Sequence, residues 1–113
     1  MASSIDPLCE TKFFETGDGR VPFGEWLRTL DPKTNSRILS RLAKTRSGNL
    51  GDFKNVGEGV LELKEDFGPG YRIYVGVANR RLIILLAGGT KRSQNSDIAT
   101  ARAYWASYKK RPK

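Results

Sequence analysis

The sequence predicts a two-layer α+β fold in which the helices are segregated from a mainly antiparallel sheet. The predicted elements run strand, helix, helix, strand, strand, strand, helix along 113 residues. Short turns join the last three strands, so they form a meander that completes a four-stranded sheet with the N-terminal strand. The length is that of one domain, and we expect a single domain over residues 1–113.

The N-terminal part predicts one strand and a short helix. Leu8 to Glu15 is compatible with the first strand, although polar and apolar residues alternate imperfectly there. The helix follows a glycine-rich turn, and its apolar residues recur at helical spacing. They are Phe23, Trp26, Leu27 and Leu30.

A second helix is predicted to begin at Asp31-Pro32 and to end near Gly48. An aspartate accepts hydrogen bonds from the free amides of a helix start, and proline fits the first turn. The buried stripe is predicted to be Ile38, Leu39, Leu42 and Ala43. A basic stripe of Arg37, Arg41 and Lys44 is either a solvated face or a contact for nucleic acid or an antagonist protein.

The C-terminal half predicts a loop at 48–59, three strands and a helix. The strands are Val60–Phe67, Tyr71–Val77 and Leu82–Ala87; the last is apolar without alternation, as expected of a central strand. Gly88 and Gly89 are expected to break it. The final helix is expected to be capped by Ser96 and to bury Ile98, Ala101, Trp105 and Tyr108, and residues 109–113 are expected to be a mobile basic tail.

Charge is distributed unevenly along the chain. Residues 1–69 contain ten Lys and Arg against eleven Asp and Glu, whereas residues 70–113 contain ten Lys and Arg against Asp97 alone. Phosphate contacts supply most of the sequence-independent affinity for nucleic acid. The basic half therefore indicates a polyanionic partner such as RNA or DNA, or else an acidic protein.

Composition excludes several classes of chemistry. The chain has no histidine and one cysteine, Cys9, which we expect to pack rather than react. Imidazole catalysis, a zinc site and an internal disulfide are therefore not expected, and we predict no metal and no cofactor. No apolar run approaches the roughly 20 residues of a membrane span, and no leader segment is evident. We expect a cytoplasmic protein that does not contact membranes.

A group of candidate functional residues follows from the period of the strands. If the two strands around the turn at 67–70 pair, Glu62, Lys64, Arg72 and Tyr74 share the non-core face, and Lys91 follows the neighbouring strand with Arg92. Convergent cations suit phosphodiester chemistry, where negative charge develops on the phosphate. The alternative is a cross-strand charge ladder on an exposed face.

The chain resembles the RelE/ParE superfamily of bacterial toxins, in particular the HigB-like addiction-module killer proteins related to a phage protein group. The resemblance covers nearly the whole chain. It is carried by FxxWLxxL at 23–30, GVLEL at 59–63, FGPGYRIY at 67–74, and LAGGTKxxQ at 86–94 followed by DIxxA at 97–101.

The resemblance implies a toxin of a type II toxin–antitoxin module, held inactive by a cognate antitoxin that often carries a helix-turn-helix domain. RelE-like members cut mRNA in the ribosomal decoding site with the 2′-hydroxyl of the RNA as nucleophile and without a metal. Ribosome and mRNA would then be partners. The ParE branch shares the fold but poisons DNA gyrase, and an inactive antitoxin-binding protein is a third reading.

The resemblance also implies roles for particular residues. Arg72, in the Tyr-Arg-x-Tyr strand, is expected to contact the scissile phosphate, and Lys64 or Lys91 to act as general base. Tyr74, Arg92, Glu62 and Gln94 are the candidates for binding or orienting the substrate. Because some HigB-like toxins use histidines and this chain has none, activity would rest on lysine, arginine and tyrosine.

Overall fold

A computed structural model describes residues 9–112, so Leu8 of the predicted first strand and Lys113 of the predicted tail lie outside the described residues. The predicted α+β class and the order of its elements are confirmed. The strands are β1 (Glu10–Phe13), β2 (Phe53–Asn55), β3 (Val60–Glu65), β4 (Tyr71–Ala78) and β5 (Leu82–Thr90). The helices are α1 (Pro22–Arg28), α2 (Pro32–Thr45) and α3 (Gln94–Lys110), the last preceded by a 3₁₀ turn at Lys91–Ser93.

The described strands form one mixed sheet in the order β1-β5-β4-β3-β2. Strand β1 runs parallel to β5, and the other neighbours are antiparallel. The meander β3-β4-β5 is therefore as predicted. The predicted four-stranded sheet is corrected to five strands. The additional strand, β2, lies at the edge of the sheet, within the segment 48–59 that was predicted to be a loop.

Helices cover both faces of the sheet, which corrects the predicted two layers to three. One apolar cluster joins α1 and α2 to the sheet and includes Phe23, Leu27, Ile38, Leu42, Leu63, Ile73, Val75, Ile83 and Leu85. The other joins α3 to the opposite face and includes Phe14, Val60, Tyr74, Ile84, Leu86, Ala101 and Trp105. Because β4 and β5 contribute to both clusters, their side chains are buried on alternate sides.

Helix α2 begins as predicted, since the Asp31 carboxylate accepts a hydrogen bond from the Thr34 amide at 3.3 Å. Its buried stripe differs from the prediction. Ile38 is fully buried, whereas Leu39 is 47% exposed and Ala43 is exposed. The stripe is narrower because the helix packs on the sheet only through the side bearing Ile38 and Arg41.

Two predictions about glycines in β5 are corrected by close packing. Gly88 and Gly89 do not break the strand, which continues to Thr90. A Cβ at Gly88 would lie 2.2 Å from the Trp26 ring, and one at Gly89 would lie 1.9 Å from an oxygen of Asp97. The two glycines thus allow a helix to approach each face of the sheet, instead of ending the strand.

Helix α3 begins earlier and ends later than predicted. Its N-cap position is Ser93, and Ser96 lies inside the first turn, where its hydroxyl donates to the Ser93 carbonyl at 3.2 Å. Residues 109 and 110 of the predicted tail are helical, and the Arg111 guanidinium lies over the Phe14 ring. None of the helices within 9–112 combines the length and apolar character that crossing a bilayer demands.

Candidate functional site

The cross-strand register brings the predicted site residues to one place on the α3 face of the sheet. Glu62 of β3 lies opposite Tyr74 of β4, and Lys64 lies opposite Arg72. Directly opposite residues of an antiparallel pair point to the same face. The segment after β5 comes to the same end of the sheet, because the Lys91 amide donates to the Gly70 carbonyl at 2.8 Å.

Glu62 is the centre of this group. Its side chain is 2% exposed, and its Oε2 accepts hydrogen bonds from the Tyr74 hydroxyl at 3.0 Å and from the Gln94 amide at 2.8 Å. Its Oε1 lies 3.9 Å from Arg72 Nε and 3.9 Å from Lys54 Nζ. One carboxylate thus connects β2, β3, β4 and the start of α3.

Arg72 is a buried cation with unused hydrogen-bonding capacity. Its side chain is 6% exposed, and Nη1 donates to the Tyr71 carbonyl at 3.3 Å. Its Nε is buried and has no hydrogen-bond partner among the described residues, since the 3.9 Å to Glu62 is too long for a hydrogen bond. The charge is compensated by Glu62, but the donor is not satisfied.

A pocket of about 270 Å³ opens beside these residues. Its lining consists of Asp52, Phe53, Lys54, Glu62, Lys64, Arg72, Lys91 and Gln94. Four cations and two carboxylates therefore share one small cavity. A site of this charge is suited to a ligand that carries negative charge, such as a phosphodiester.

The two lysines expected to act as base differ in their surroundings. The Lys64 side chain is 41% exposed, and its Nζ lies 3.8 Å from an oxygen of Asp66. Lys91 is exposed at the first position of the 3₁₀ turn. Both can reach a ligand in the pocket that they line, and both are open to water.

Tyr74 and Arg92 lie in places that limit the substrate-binding roles expected of them. Tyr74 is fully buried, and burial together with the neighbouring Glu62 carboxylate raises the pKa of its phenol. A ring so enclosed supports Glu62 and does not offer a surface for stacking. Arg92 is exposed and is not among the residues that line the pocket.

Helix α3 is held close to the sheet at the edge of the pocket. The Ser93 hydroxyl donates to the Asp97 carboxylate at 2.5 Å, and both side chains lie over Gly89. This contact positions Gln94, the first residue of α3, for its hydrogen bond to Glu62.

Three pocket residues were not found from the sequence. They are Asp52, Phe53 and Lys54, which belong to β2 and the position before it. Strand β2 is too short to show the alternation of polar and apolar residues that reveals a strand in a sequence. The one available signal was a cation flanked by glycine-rich turns. Lys54 lies directly opposite Glu62 in the register of β2 and β3.

The basic stripe of α2 is not uniformly solvated. Arg41 is buried, its Nε lies 2.9 Å from the Glu65 carboxylate, and its Nη2 donates to the Asp52 carbonyl at 3.0 Å. It therefore ties α2 to the rim of the pocket. Arg37 is exposed and lies 3.8 Å above the Phe67 ring. Cys9, expected to pack, is buried, and its thiol donates to the Thr45 carbonyl at 3.0 Å.

Within residues 9–112, no three Cys, Asp or Glu side chains lie together in a way that could hold a metal ion. The donors of the pocket are those of an anion site.

Comparison with known proteins gives two matches. Residues 25–106 match the family described as "Phage derived protein Gp49-like (DUF891)", a range that includes every residue lining the pocket. A protein of Haemophilus influenzae is 41% identical over 83 residues, which cover 73% of this chain and 84% of that protein. Its name is "Uncharacterized protein".

Proposed function

Because the chain belongs to the Gp49-like family of phage-derived proteins, a family of toxin-like modules related to addiction-module killers, we propose that it is the toxin of a type II toxin–antitoxin pair. Its proposed activity is metal-independent cleavage of mRNA on the ribosome. This activity would stop translation and would be exerted in the cytoplasm.

The observation that supports this activity best is the buried guanidinium of Arg72 beside a pocket of further cations. Lys54, Lys64 and Lys91 line the same cavity of about 270 Å³. Cleavage by the 2′-hydroxyl of RNA places extra negative charge on the phosphate in the transition state. The guanidinium of Arg72, which is buried, stabilises that charge more strongly than it would in water.

The proposed roles follow from placement in the pocket. Arg72 binds the scissile phosphate, since a guanidinium can donate to two phosphate oxygens at once. Lys64 and Lys91, which line the same pocket, contact the ribose or the leaving oxygen in this proposal. Tyr74 and Gln94 act through Glu62, because both donate to its Oε2.

Substitution of Arg72 tests the activity. Arg72→Ala is expected to lower mRNA cleavage in a reconstituted translation reaction by about 100-fold or more, the loss typical of a donor that stabilises a developing anion. Primer extension on the mRNA measures the cleavage. Arg28→Ala is the matched control, because Arg28 is an exposed arginine at the end of α1, and it should cleave within about twofold of wild type.

The same experiment separates the other readings. Intact mRNA together with DNA damage signalling after expression would indicate a ParE-like gyrase poison instead of a nuclease. Intact mRNA with normal growth would indicate a protein that only binds an antitoxin. Equal cleavage by Arg72→Ala and wild type, with both variants folded, would show that the proposed site is wrong.

An antitoxin is the partner that membership of a toxin-like family implies. We propose one with a helix-turn-helix domain, encoded beside this gene. Co-expression of the adjacent open reading frame should restore growth, and the protein that it encodes should co-purify with the chain. A neighbouring gene that neither restores growth nor binds would contradict this part of the proposal.

A further inference from the structure

We infer that Glu62 is the general base of the proposed RNA cleavage, with a lysine of the same pocket as the general acid. The inference rests on the proposed function and changes its chemistry, because the resemblance assigned the base to Lys64 or Lys91 and gave Glu62 only a binding role.

The two oxygens of Glu62 have different surroundings. Oε2 accepts both of the carboxylate's described hydrogen bonds, from Tyr74 and Gln94. Oε1 has cations at 3.9 Å on two sides and accepts no hydrogen bond from the described residues. One oxygen is therefore used to fix the carboxylate, and the other, on a residue that lines the pocket, is left without a hydrogen bond within residues 9–112.

The gap between Glu62 and Arg72 is the second observation. A buried ion pair that serves only the fold normally makes direct hydrogen bonds, because unsatisfied buried groups cost about 1–3 kcal/mol each. Here the two groups are 3.9 Å apart and Arg72 Nε has no partner. Unused donor and acceptor capacity on adjoining walls suits a ligand with both a hydroxyl and a phosphate, which a ribonucleotide has.

The ordinary protonation of these side chains fits the assignment. In water a glutamate is ionised at neutral pH and a lysine is protonated, so the first is ready to accept a proton and the second to donate one. A lysine acting as base would first have to lose its proton. Lys64 and Lys91 are both open to water.

Glu62 Oε1 takes the proton of the 2′-hydroxyl as the 2′-oxygen forms a bond to phosphorus. The bond from phosphorus to the 5′-oxygen breaks, and that oxygen takes a proton from Lys64 or Lys91. The products are a 2′,3′-cyclic phosphate and a 5′-hydroxyl, and Arg72 holds the phosphate throughout.

The charged groups that face Glu62 determine its response to pH. They come from three elements: Lys54 on β2, Arg72 and Tyr74 on β4, and Asp97 of α3 through its effect on Tyr74. The pocket adds Asp52, Lys64 and Lys91. In the wild-type protein, a change of cleavage rate with pH reports the protonation of the catalytic base or acid.

The pH dependence of wild-type cleavage tests the assignment without any substitution. With Glu62 as base and a lysine as acid, the single-turnover rate on programmed ribosomes should change by less than about twofold between pH 6.5 and 8.5. With a lysine as base, the rate should rise with pH over this interval, because only the deprotonated amine accepts a proton. A rise of more than about threefold would overturn the inference.

Glu62→Gln is the matching variant, and Glu58→Gln is its control, since Glu58 is exposed in the turn before β3 and does not line the pocket. Glu62→Gln should lose about 100-fold or more in cleavage rate while ribosome affinity stays within about twofold. Glu58→Gln should keep cleavage within about threefold. Thermal unfolding establishes that both variants are folded, and if Glu62→Gln is not, the wild-type pH profile alone decides.

The outcomes distinguish the two proposals. A folded Glu62→Gln that keeps more than a tenth of the cleavage rate would overturn the base assignment and leave the nuclease intact. A loss of affinity as large as the loss of rate would make Glu62 a positioning residue for Arg72, which also overturns it. Absence of cleavage by wild type would overturn the proposed function and this inference together.

Discussion

At the scale of single residues, the buried carboxylate of Glu62 makes the rest of the site possible. It compensates Arg72 and Lys54 electrically and gives Tyr74 and Gln94 their acceptor. Truncation to alanine would leave an uncompensated arginine in the interior, which is strongly destabilising. Variants that keep the shape of the side chain are therefore the informative ones, because they change its charge without emptying its place.

Tyr74 gives a stability prediction that depends on pH. Its folded pKa lies above the ordinary value of 10.0 because burial and the Glu62 carboxylate disfavour the phenolate. The unfolded chain releases this proton as pH rises past 10 while the folded chain retains it, so stability contributed by Tyr74 is present below pH 10 and lost above it. At pH 11 the contribution of this group to the free energy of unfolding should therefore be lower than at pH 8 by roughly 1 kcal/mol.

Comparison with Tyr74→Phe isolates this effect, because every other titrating group is shared. At pH 8 the variant should be less stable by about 1–3 kcal/mol, the cost of removing a donor from a buried carboxylate. The difference should shrink by roughly 1 kcal/mol at pH 11, measured by urea unfolding. A constant difference in stability across this range would contradict the raised pKa of Tyr74. Tyr104→Phe is the control for loss of a hydroxyl elsewhere, because the half-buried Tyr104 ring stacks on Phe14.

At the scale of elements, the contact between β5 and α3 positions the site. Gly89 has no side chain where Asp97 and Ser93 press on the strand, and the helix start held there carries Gln94 to Glu62. Gly89→Ala should therefore move the start of α3 away from the sheet. We expect a loss of about 1–3 kcal/mol in unfolding free energy, as for other overpacked positions, together with reduced cleavage.

The control for this prediction is Gly17→Ala, because nothing lies within 4 Å of a Cβ placed at Gly17. It should change stability by less than about 0.5 kcal/mol. Asp97→Ala in the Gly89→Ala background should recover part of the loss, since it removes the atom nearest to the new methyl group. Additive losses in the double variant would show that the clash is not the cause.

The elements also show how far the sequence predicts this site. Alternation along β3 and β4 was enough to place Lys64 and Arg72 on one face, because strand period is a local property. It was not enough for Lys54, whose position depends on pairing between β2 and β3. Gly89 was taken for a strand break because the signal of a glycine is the same whether the backbone turns or a helix packs there.

Two further differences have the same origin in tertiary contacts. Leu39 was predicted as buried from helical spacing, but only one side of α2 reaches the sheet, and the leucine is exposed. The ladder between β4 and β5 shifts register between Tyr74 and Val75, so Leu86 and Ala87 both face the α3 cluster. A bulge of this kind is not visible in an apolar run without alternation.

At the scale of the whole molecule, the uneven charge predicts which cations would contact RNA if the proposed function holds. Cations of residues 70–113 are almost unopposed, whereas those of residues 1–69 are balanced by acids. The slope of log affinity against log salt is negative, and neutralising a cation that contacts a phosphate reduces its magnitude by about 0.7–0.9. Cations outside the contact surface should leave that slope unchanged, so the slope reports contact and not net charge.

Two double variants with the same change in net charge test this. Arg92→Gln with Lys110→Gln removes two exposed cations of the basic half, and Lys33→Gln with Lys44→Gln removes two from the exposed side of α2. The first pair should reduce the magnitude of the salt slope of ribosome binding by about 1.5, and the second pair should reduce it by less than about 0.3. An equally large decrease for the second pair would mean that the exposed side of α2 also contacts RNA, because only cations that contact phosphates release counterions on binding.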